Sequence, residues 1–306
     1  MSRSVEMAIV GGGPAGLTAG IYAARARADV LLLERLDPGG QVLLTDRVEN
    51  YPGFPNGLSG LDLAENFRQQ ALNFGLRLEN AEVQRLSFGQ PHRLDLGTET
   101  LEAGAVILAS GARPNRLGVQ GEKELTGKGV SYCATCDGPF FKGQTVVVVG
   151  GGDTAVTEAI YLVKFAAKVV LIQRRGELRA VRVLQERLFA NDRIQVLWNS
   201  AVEAILGKGR VEGVMARDVR TQKTTRLDAD GVFIFIGVCP NTAFINPGDL
   251  DTDEWGFIIS DTEMRTSRPG VFVAGDVRSK SLRQVANAVG EGAVAAYNAS
   301  GYLAGL

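Results

Sequence analysis

The chain has 306 residues, with 33 basic and 34 acidic side chains and a formal net charge of -1, so no overall field would draw it to nucleic acid or an anionic membrane. Hydrophobic residues make up 45% and charged residues 22%, the balance of a soluble globular protein with room for two domains of ordinary size. No apolar run approaches the ~20 residues of a membrane-spanning helix. The N-terminus passes almost directly into a strand and leaves no room for a signal peptide, so a cytoplasmic location is expected.

In chain order, the pattern predicts an apolar strand over 5–10, the turn Gly11-Gly12-Gly13-Pro14-Ala15-Gly16, a helix over 17–27 and a second strand over 30–33 that ends in Glu34. One glycine of such a turn permits the sharp reversal, one lets a pyrophosphate approach the backbone, and one lets helix and strand pack closely. The helix N-terminus offers unpaired N–H groups to the phosphates. Glu34 can accept from both ribose hydroxyls and would repel a 2′-phosphate. The half closes with an apolar strand over 105–109 leading to Gly111-Ala112-Arg113-Pro114-Asn115.

Cys133-Ala134-Thr135-Cys136-Asp137 follows. The Cys-x-x-Cys spacing allows a small disulfide ring and can lower one thiol's pKa enough to make a thiolate nucleophile. It could also be half of a zinc site, but zinc normally needs four ligands, and the chain offers only Cys239 and a single histidine, His92. Both are far away in sequence, so no metal site is expected. Asp137 is either the acid that protonates a leaving thiolate or a turn residue before Gly138. His92 lies in a polar stretch away from any motif.

The first unit then recurs. A strand over 145–149, the turn Gly150-Gly151-Gly152-Asp153-Thr154-Ala155, a helix over 156–165 and a strand over 169–172 repeat the design, with Ala155 for the third glycine. At the position that corresponds to Glu34 stands Gln173, followed by Arg174, Arg175 and Arg179. Loss of the acid and gain of guanidinium forks suit the 2′-phosphate of NADP. The alternative is a solvated basic corner leading into a basic helix. A strand over 232–236 runs into Gly237-Val238-Cys239-Pro240-Asn241, an apolar strand begins at 271, and a helix rich in Ala and Gly is predicted over 284–302.

The run Cys133-Ala134-Thr135-Cys136-Asp137-Gly138 between two glycine turns resembles the low-molecular-weight thioredoxin reductases, over essentially the whole chain. Further matching pieces are Pro38-Gly39-Gly40-Gln41, Val48-Glu49-Asn50-Tyr51-Pro52-Gly53-Phe54, and Gly275-Asp276-Val277 with Arg283-Gln284. The resemblance implies an α/β protein of two Rossmann-like, three-layer dinucleotide-binding domains, the second inserted into the first. Residues 1–114 plus 246–306 would hold FAD, through Gly11, Gly13, Pro14, Ala15, Gly16, Glu34, Gly40, Gln41, Asn50, Gly111, Asp276, Arg283, Gln284 and Val285. Residues 115–245 would carry the cysteines and hold NADPH, through Gly150, Gly152, Asp153, Thr154, Ala155, Arg174, Arg175 and Arg179. Linkers are expected near Pro114 and near residues 240–247, where prolines cluster.

The resemblance further implies hydride transfer from NADPH to FAD, reduction of the Cys133–Cys136 disulfide with Cys136 facing the flavin, and attack by Cys133 on oxidised thioredoxin. It implies a homodimer, and a hinge motion of one domain against the other. Two positions depart from the family pattern: Gln173 replaces the usual histidine, which bears on NADPH affinity, and Pro139 replaces an aromatic. The competing reading keeps the scaffold but uses another donor, NADH or ferredoxin, or another acceptor, a peroxidase partner or a small dithiol. A non-catalytic nucleotide-binding module or redox sensor has no positive feature in its favour.

Overall fold

The computed structural model describes residues 2–45, 48 and 50–305, so Glu49 of the 48–54 motif lies outside the described residues. The chain divides into two compact units. Unit 1 is Met1–Arg113 with Cys239–Leu306, and unit 2 is Pro114–Val238. The return to unit 1 comes at Cys239, ahead of the expected boundary at 245/246. Backbone pairing decides this rather than the proline cluster. Asn241 N–H already donates to Gly111 O at 2.9 Å, and Phe244 O accepts from Leu86 N–H at 2.9 Å.

Unit 1 opens with strand β1 (Ser2–Val10), helix α1 (Pro14–Arg25) and strand β2 (Val30–Glu34). Helix α2 (Gly60–Asn73), strands β3 (Arg77–Asn80), β4 (Arg85–Ser87), β5 (His92–Asp95) and β6 (Thr100–Leu108), and the linker strand β7 (Ala112–Pro114) follow. The sheet order is β3-β2-β1-β6-β5-β4, with β3, β2, β1 and β6 parallel and β5 and β4 antiparallel. Proline at the first helical position lacks an N–H that would go unused and has φ already set for helix, so α1 begins at Pro14 instead of at 17. It stops before Arg27, whose φ of 63° leaves the helical region.

Unit 2 contains β8 (Val130–Ser131), the short helix α3 (Ala134–Asp137), β9 (Thr145–Val149), α4 (Asp153–Leu162), β10 (Lys168–Ile172), α5 (Arg182–Phe189) and β11 (Ile194–Leu197). Strands β12 (Ser200–Leu206), β13 (Gly213–Asp218) and β14 (Thr224–Asp228) precede β15 (Gly231–Ile234). Its main sheet, β11-β10-β9-β15-β8, is parallel throughout. The linker strand β16 (Val238–Pro240) pairs with β7, and in unit 1 the strand β17 (Val271–Val273) pairs parallel with β6 before helix α6 (Val285–Leu303).

Side chains alternate across each sheet, as the pleat requires, so each unit has two cores. In unit 1, Met7 and Ile9 face the helices α1, α2 and α6, and Ala8 and Val10 face the opposite layer. In unit 2, Val146 and Val148 face α4 and α5, while Val147 and Val149 pack against β12 and β13 through Val202, Ile205 and Val214. Each unit therefore has three layers, with all the packed helices on one face. The second cover in unit 2 is an antiparallel three-stranded sheet that the strand–turn–helix pattern does not reveal. Among the described residues, no helix is long and apolar enough to cross a membrane.

His92 begins β5 and is only 3% exposed, with its ring edge-on to Phe88 at 6.1 Å. The sequence placed it in a polar stretch, but alternation turns it inward. Burial holds the imidazole pKa below the ordinary 6.5, with a weaker opposing pull from the Pro269 carbonyl. The folded state thus takes up this proton less readily than the unfolded chain, so the associated stability is full above pH 6.5 and declines as pH falls through the folded value. Denaturant titrations between pH 7.5 and 5 should show a loss of at most about 1.4 kcal/mol per pH unit, and His92→Gln should flatten that slope.

Candidate functional site

In unit 1, space governs the turn between β1 and α1. Gly11 has φ 106°, and a Cβ on Gly16 would run into the Gly11 carbonyl oxygen. Gly13 is the extended N-cap of α1, has no side-chain cap, and has no atom within 4 Å of where its own side chain would be. The N–H groups of the first helical turn that follow Pro14, at Ala15 and Gly16, have no partner within the helix. Glu34 reaches back from β2: its Oε2 accepts from Gly12 N–H at 2.6 Å and its Oε1 from Leu36 N–H at 3.0 Å. These bonds fix the carboxylate and leave lone pairs on both oxygens for other donors.

Of the remaining predicted residues of this unit, some are tied to the same turn and the others to one another. Gly39 N–H donates to Gly12 O at 2.8 Å, which brings Gly40 against Gly13. Gln41 Nε2 donates to Ala112 O, next to Gly111. Gly275 has φ 80°, and its missing side chain would stand 2.9 Å from Ala15 Cβ, so Asp276 follows directly after a contact with α1. Arg283 Nε donates to Asp276 O at 3.3 Å and its guanidinium lies 4.1 Å above the Phe257 ring. Asn50 Nδ2 donates to Gln284 Oε1 at 3.0 Å, and Val285 opens α6. Burial raises the Asp276 carboxyl pKa, and the charges of Lys280 and Arg283 pull it back.

Unit 2 repeats the arrangement. Gly150 has φ 144°, Gly152 is the uncapped N-cap of α4, and the space beside it is open. The helix starts at Asp153, ahead of the predicted 156, so Thr154 and Ala155 lie in its first turn. Asp153 Oδ1 accepts from Val181 N–H at 2.8 Å, just before α5. Gln173 is turned inward, 5% exposed, and its Nε2 donates to Glu177 O at 2.7 Å. Arg179 N–H donates to Gly151 O at 2.7 Å and closes the 174–180 loop onto the turn. The Arg174, Arg175 and Arg179 residues are exposed, and their side chains form no ion pair or hydrogen bond among the described residues.

Cys133 and Cys136 are joined in a disulfide at the start of α3. Cys133 is the N-cap, and its Sγ accepts from Cys136 N–H at 3.2 Å, with Thr135 Oγ1 at 3.3 Å. The same N–H would stabilise a thiolate on Cys133 once the disulfide opens. Asp137 closes α3, its N–H donating to Cys133 O at 3.2 Å. Phe140, nearby in the chain, is 44% exposed. Cys239 remains a free thiol in the linker strand β16. Among the described residues no group of three or more His, Cys, Asp or Glu could hold a metal ion.

Several buried polar residues on or beside these elements carry no sequence motif. Glu122 is 3% exposed and accepts from Leu117 N–H (2.9 Å), Gly118 N–H (2.7 Å) and Tyr132 Oη–H (2.8 Å). It thereby anchors the residue that precedes Cys133. Burial, and then the Glu122 carboxylate, push the Tyr132 phenol up to about 12. Glu158 on α4 has a buried Oε2 without a hydrogen-bond partner, and burial raises its pKa. Lys280 and Glu291 form a buried ion pair beside Asp276. Only the adjacency of Tyr132 to Cys133 offered a hint in the sequence.

Two strand–glycine–helix turns and one redox-capable disulfide define a disulfide oxidoreductase of the dinucleotide-binding kind. The pyridine nucleotide-disulphide oxidoreductase family matches residues 5–292. The thioredoxin reductase of Listeria monocytogenes is 45% identical over 301 residues, covering 97% of this chain and 93% of the relative. That of Treponema pallidum is 44% identical over 304 residues, covering 99% and 98%. The crystal structure of the thioredoxin reductase from Streptococcus pyogenes superposes with a TM-score of 0.94 at 43% identity, covering 99% of each chain. The chain belongs to the pyridine nucleotide-disulphide oxidoreductases, on their thioredoxin reductase branch.

Gln173→Leu keeps the volume but strands the Glu177 carbonyl. Chemical denaturation should show a loss of about 1–2 kcal/mol, and proteolysis should cut the 174–180 loop faster than in the parent.

Proposed function

We propose that the protein is a thioredoxin-disulfide reductase, active as a homodimer in the cytoplasm, that moves electrons from NADPH through FAD and the Cys133–Cys136 pair to oxidised thioredoxin. The observation that carries this reading is the disulfide at a helix start, in a chain with two open dinucleotide turns of unlike phosphate environment. Bound FAD would supply a group that accepts hydride and passes two electrons to a disulfide. Unit 1 fits FAD: the open N-cap at Gly13 with Gly11, Pro14, Ala15 and Gly16 would take the pyrophosphate, and Glu34 the adenosine ribose. Gly40, Gln41, Asn50, Gly111, Asp276, Arg283, Gln284 and Val285 would hold the remainder.

Unit 2 fits NADPH. Gly150, Gly152, Thr154 and Ala155 would seat the pyrophosphate, with Asp153 tying the turn to α5. The unpaired guanidinium groups of Arg174, Arg175 and Arg179 would take the 2′-phosphate. Gln173, engaged with Glu177 O, carries no charge to repel it.

Two electrons and two protons convert the disulfide to two thiols, with Cys136 receiving the electrons. Cys133 passes its proton to Asp137, and its thiolate, stabilised by the Cys136 N–H, attacks the partner's disulfide. A new S–S bond joins the two proteins and one partner sulfur leaves as a thiolate, to which Asp137 gives the proton. Cys136 then attacks Cys133 Sγ, re-forming the disulfide, and its proton passes by way of Asp137 to the second partner sulfur, which leaves as a thiol.

Cys133→Ser should abolish thioredoxin reduction while NADPH still bleaches the flavin under anaerobic conditions; retained thioredoxin reduction would overturn the assignment. The double variant Arg174→Ala/Arg175→Ala should raise KM for NADPH roughly tenfold or more, given ~1.5–3 kcal/mol for each charge-assisted hydrogen bond, and leave KM for NADH unchanged. Equal effects on both nucleotides would reject the 2′-phosphate role.

A further inference from the structure

The three arginines of the 174–180 loop are not held in the same way. Arg174 and Arg175 come soon after β10, and Arg175 O accepts from Asn199 N–H at 3.2 Å, just past the neighbouring strand β11. Arg179 stands further along, between Leu178 and Ala180. Those two residues are 7% and 4% exposed and pack into the core under α4 and α5, while Arg179 itself is exposed. The Arg179 and Ala180 N–H groups both donate to Gly151 O, at 2.7 and 3.2 Å. Val181 N–H donates to Asp153 Oδ1 at 2.8 Å.

One side chain takes the carbonyls on either side of Arg179. Gln185, half-buried on α5, donates through Nε2 to Ala180 O at 2.7 Å and to Leu178 O at 3.4 Å. The peptide groups before and after this arginine are thus engaged through both N–H and C=O. Gly151 belongs to the glycine turn, so the same bonds fix the spacing between that turn and Arg179. A loop ordered in advance spares a ligand the entropy of ordering it. An amide is suited to this task. A carboxylate at 185 could not donate to the carbonyls, and it would compete with an anionic ligand for the guanidinium.

We propose that Gln185 is a positioning residue that presets Arg179 for a phosphate on the ribose of the dinucleotide in unit 2. It thereby contributes to the choice of the phosphorylated over the unphosphorylated nucleotide. This rests on the reading of unit 2 as the NADPH site.

The test is calorimetric titration of the FAD-loaded protein with adenosine 2′,5′-bisphosphate and with AMP. Gln185→Met keeps the length of the side chain and removes the donor. It should weaken bisphosphate binding about fivefold and leave AMP binding as in the parent. Arg179→Met should weaken the bisphosphate about tenfold. The double variant should bind it no worse than Arg179→Met alone, because Gln185 acts through that guanidinium. Unchanged bisphosphate binding in Gln185→Met, equal weakening of both nucleotides, or losses that add in the double variant overturn the inference. If Gln185→Met does not fold, Gln185→Asn, with the amide one methylene shorter, is judged by the same comparison. An Arg179→Met protein that binds the bisphosphate as the parent does, or loses both nucleotides alike, overturns the 2′-phosphate reading of unit 2 itself, which separates the two failures.

Discussion

The carbonyl oxygen of Gly11 occupies the space where a side chain on Gly16 would begin. That closeness brings the first turn of α1 against the end of β1, and much of unit 1 is arranged around it. Gly12 and Leu36 give their N–H groups to Glu34, Gly40 settles on Gly13, and Gly275 closes on Ala15. In unit 2 the third position is Ala155, and Gly150 has φ 144° compared with 106° at Gly11. Two sites for elongated anionic ligands thus follow from one steric requirement met twice.

The two units differ in what surrounds that shared turn. Glu34 is oriented by backbone donors and keeps free lone pairs, so it can take hydroxyl groups but not a phosphate. Gln173 turns inward to the Glu177 carbonyl, and the Arg174, Arg175 and Arg179 side chains in the same loop are exposed and unpaired among the described residues. The contrast lies in which groups are already engaged by the fold and which remain available.

The cysteine pair is held with comparable care. Glu122 gathers two backbone N–H groups and the Tyr132 hydroxyl, and Ser131 Oγ accepts from Cys133 N–H at 3.1 Å. Both residues before the disulfide are thereby fixed. The reactive sulfurs can exchange bonds while their supporting strand stays in place, which an exchange reaction repeated at every turnover requires.

The repeat of strand, glycine turn and helix, the cysteine pair and the unlike ends of the two second strands were legible in the sequence, because each is a local pattern of backbone need or charge, whereas the inserted arrangement was implied by the family resemblance. The exact helix starts, at Pro14 and Asp153, depended on cap geometry. The return to unit 1 at Cys239 depended on the bonds of Asn241 and Phe244 to distant segments. The antiparallel cover of unit 2, the inward turn of His92 and Gln173, and the meeting of Lys280 with Glu291 and Asp276 depended on contacts between residues far apart in the chain. The sequence by itself determined which chemical groups are present and which turns the backbone must make. The tertiary structure alone decided which polar groups are already satisfied and which are left for a ligand, because hydrogen-bond partners are settled by distance in space and not by distance along the chain.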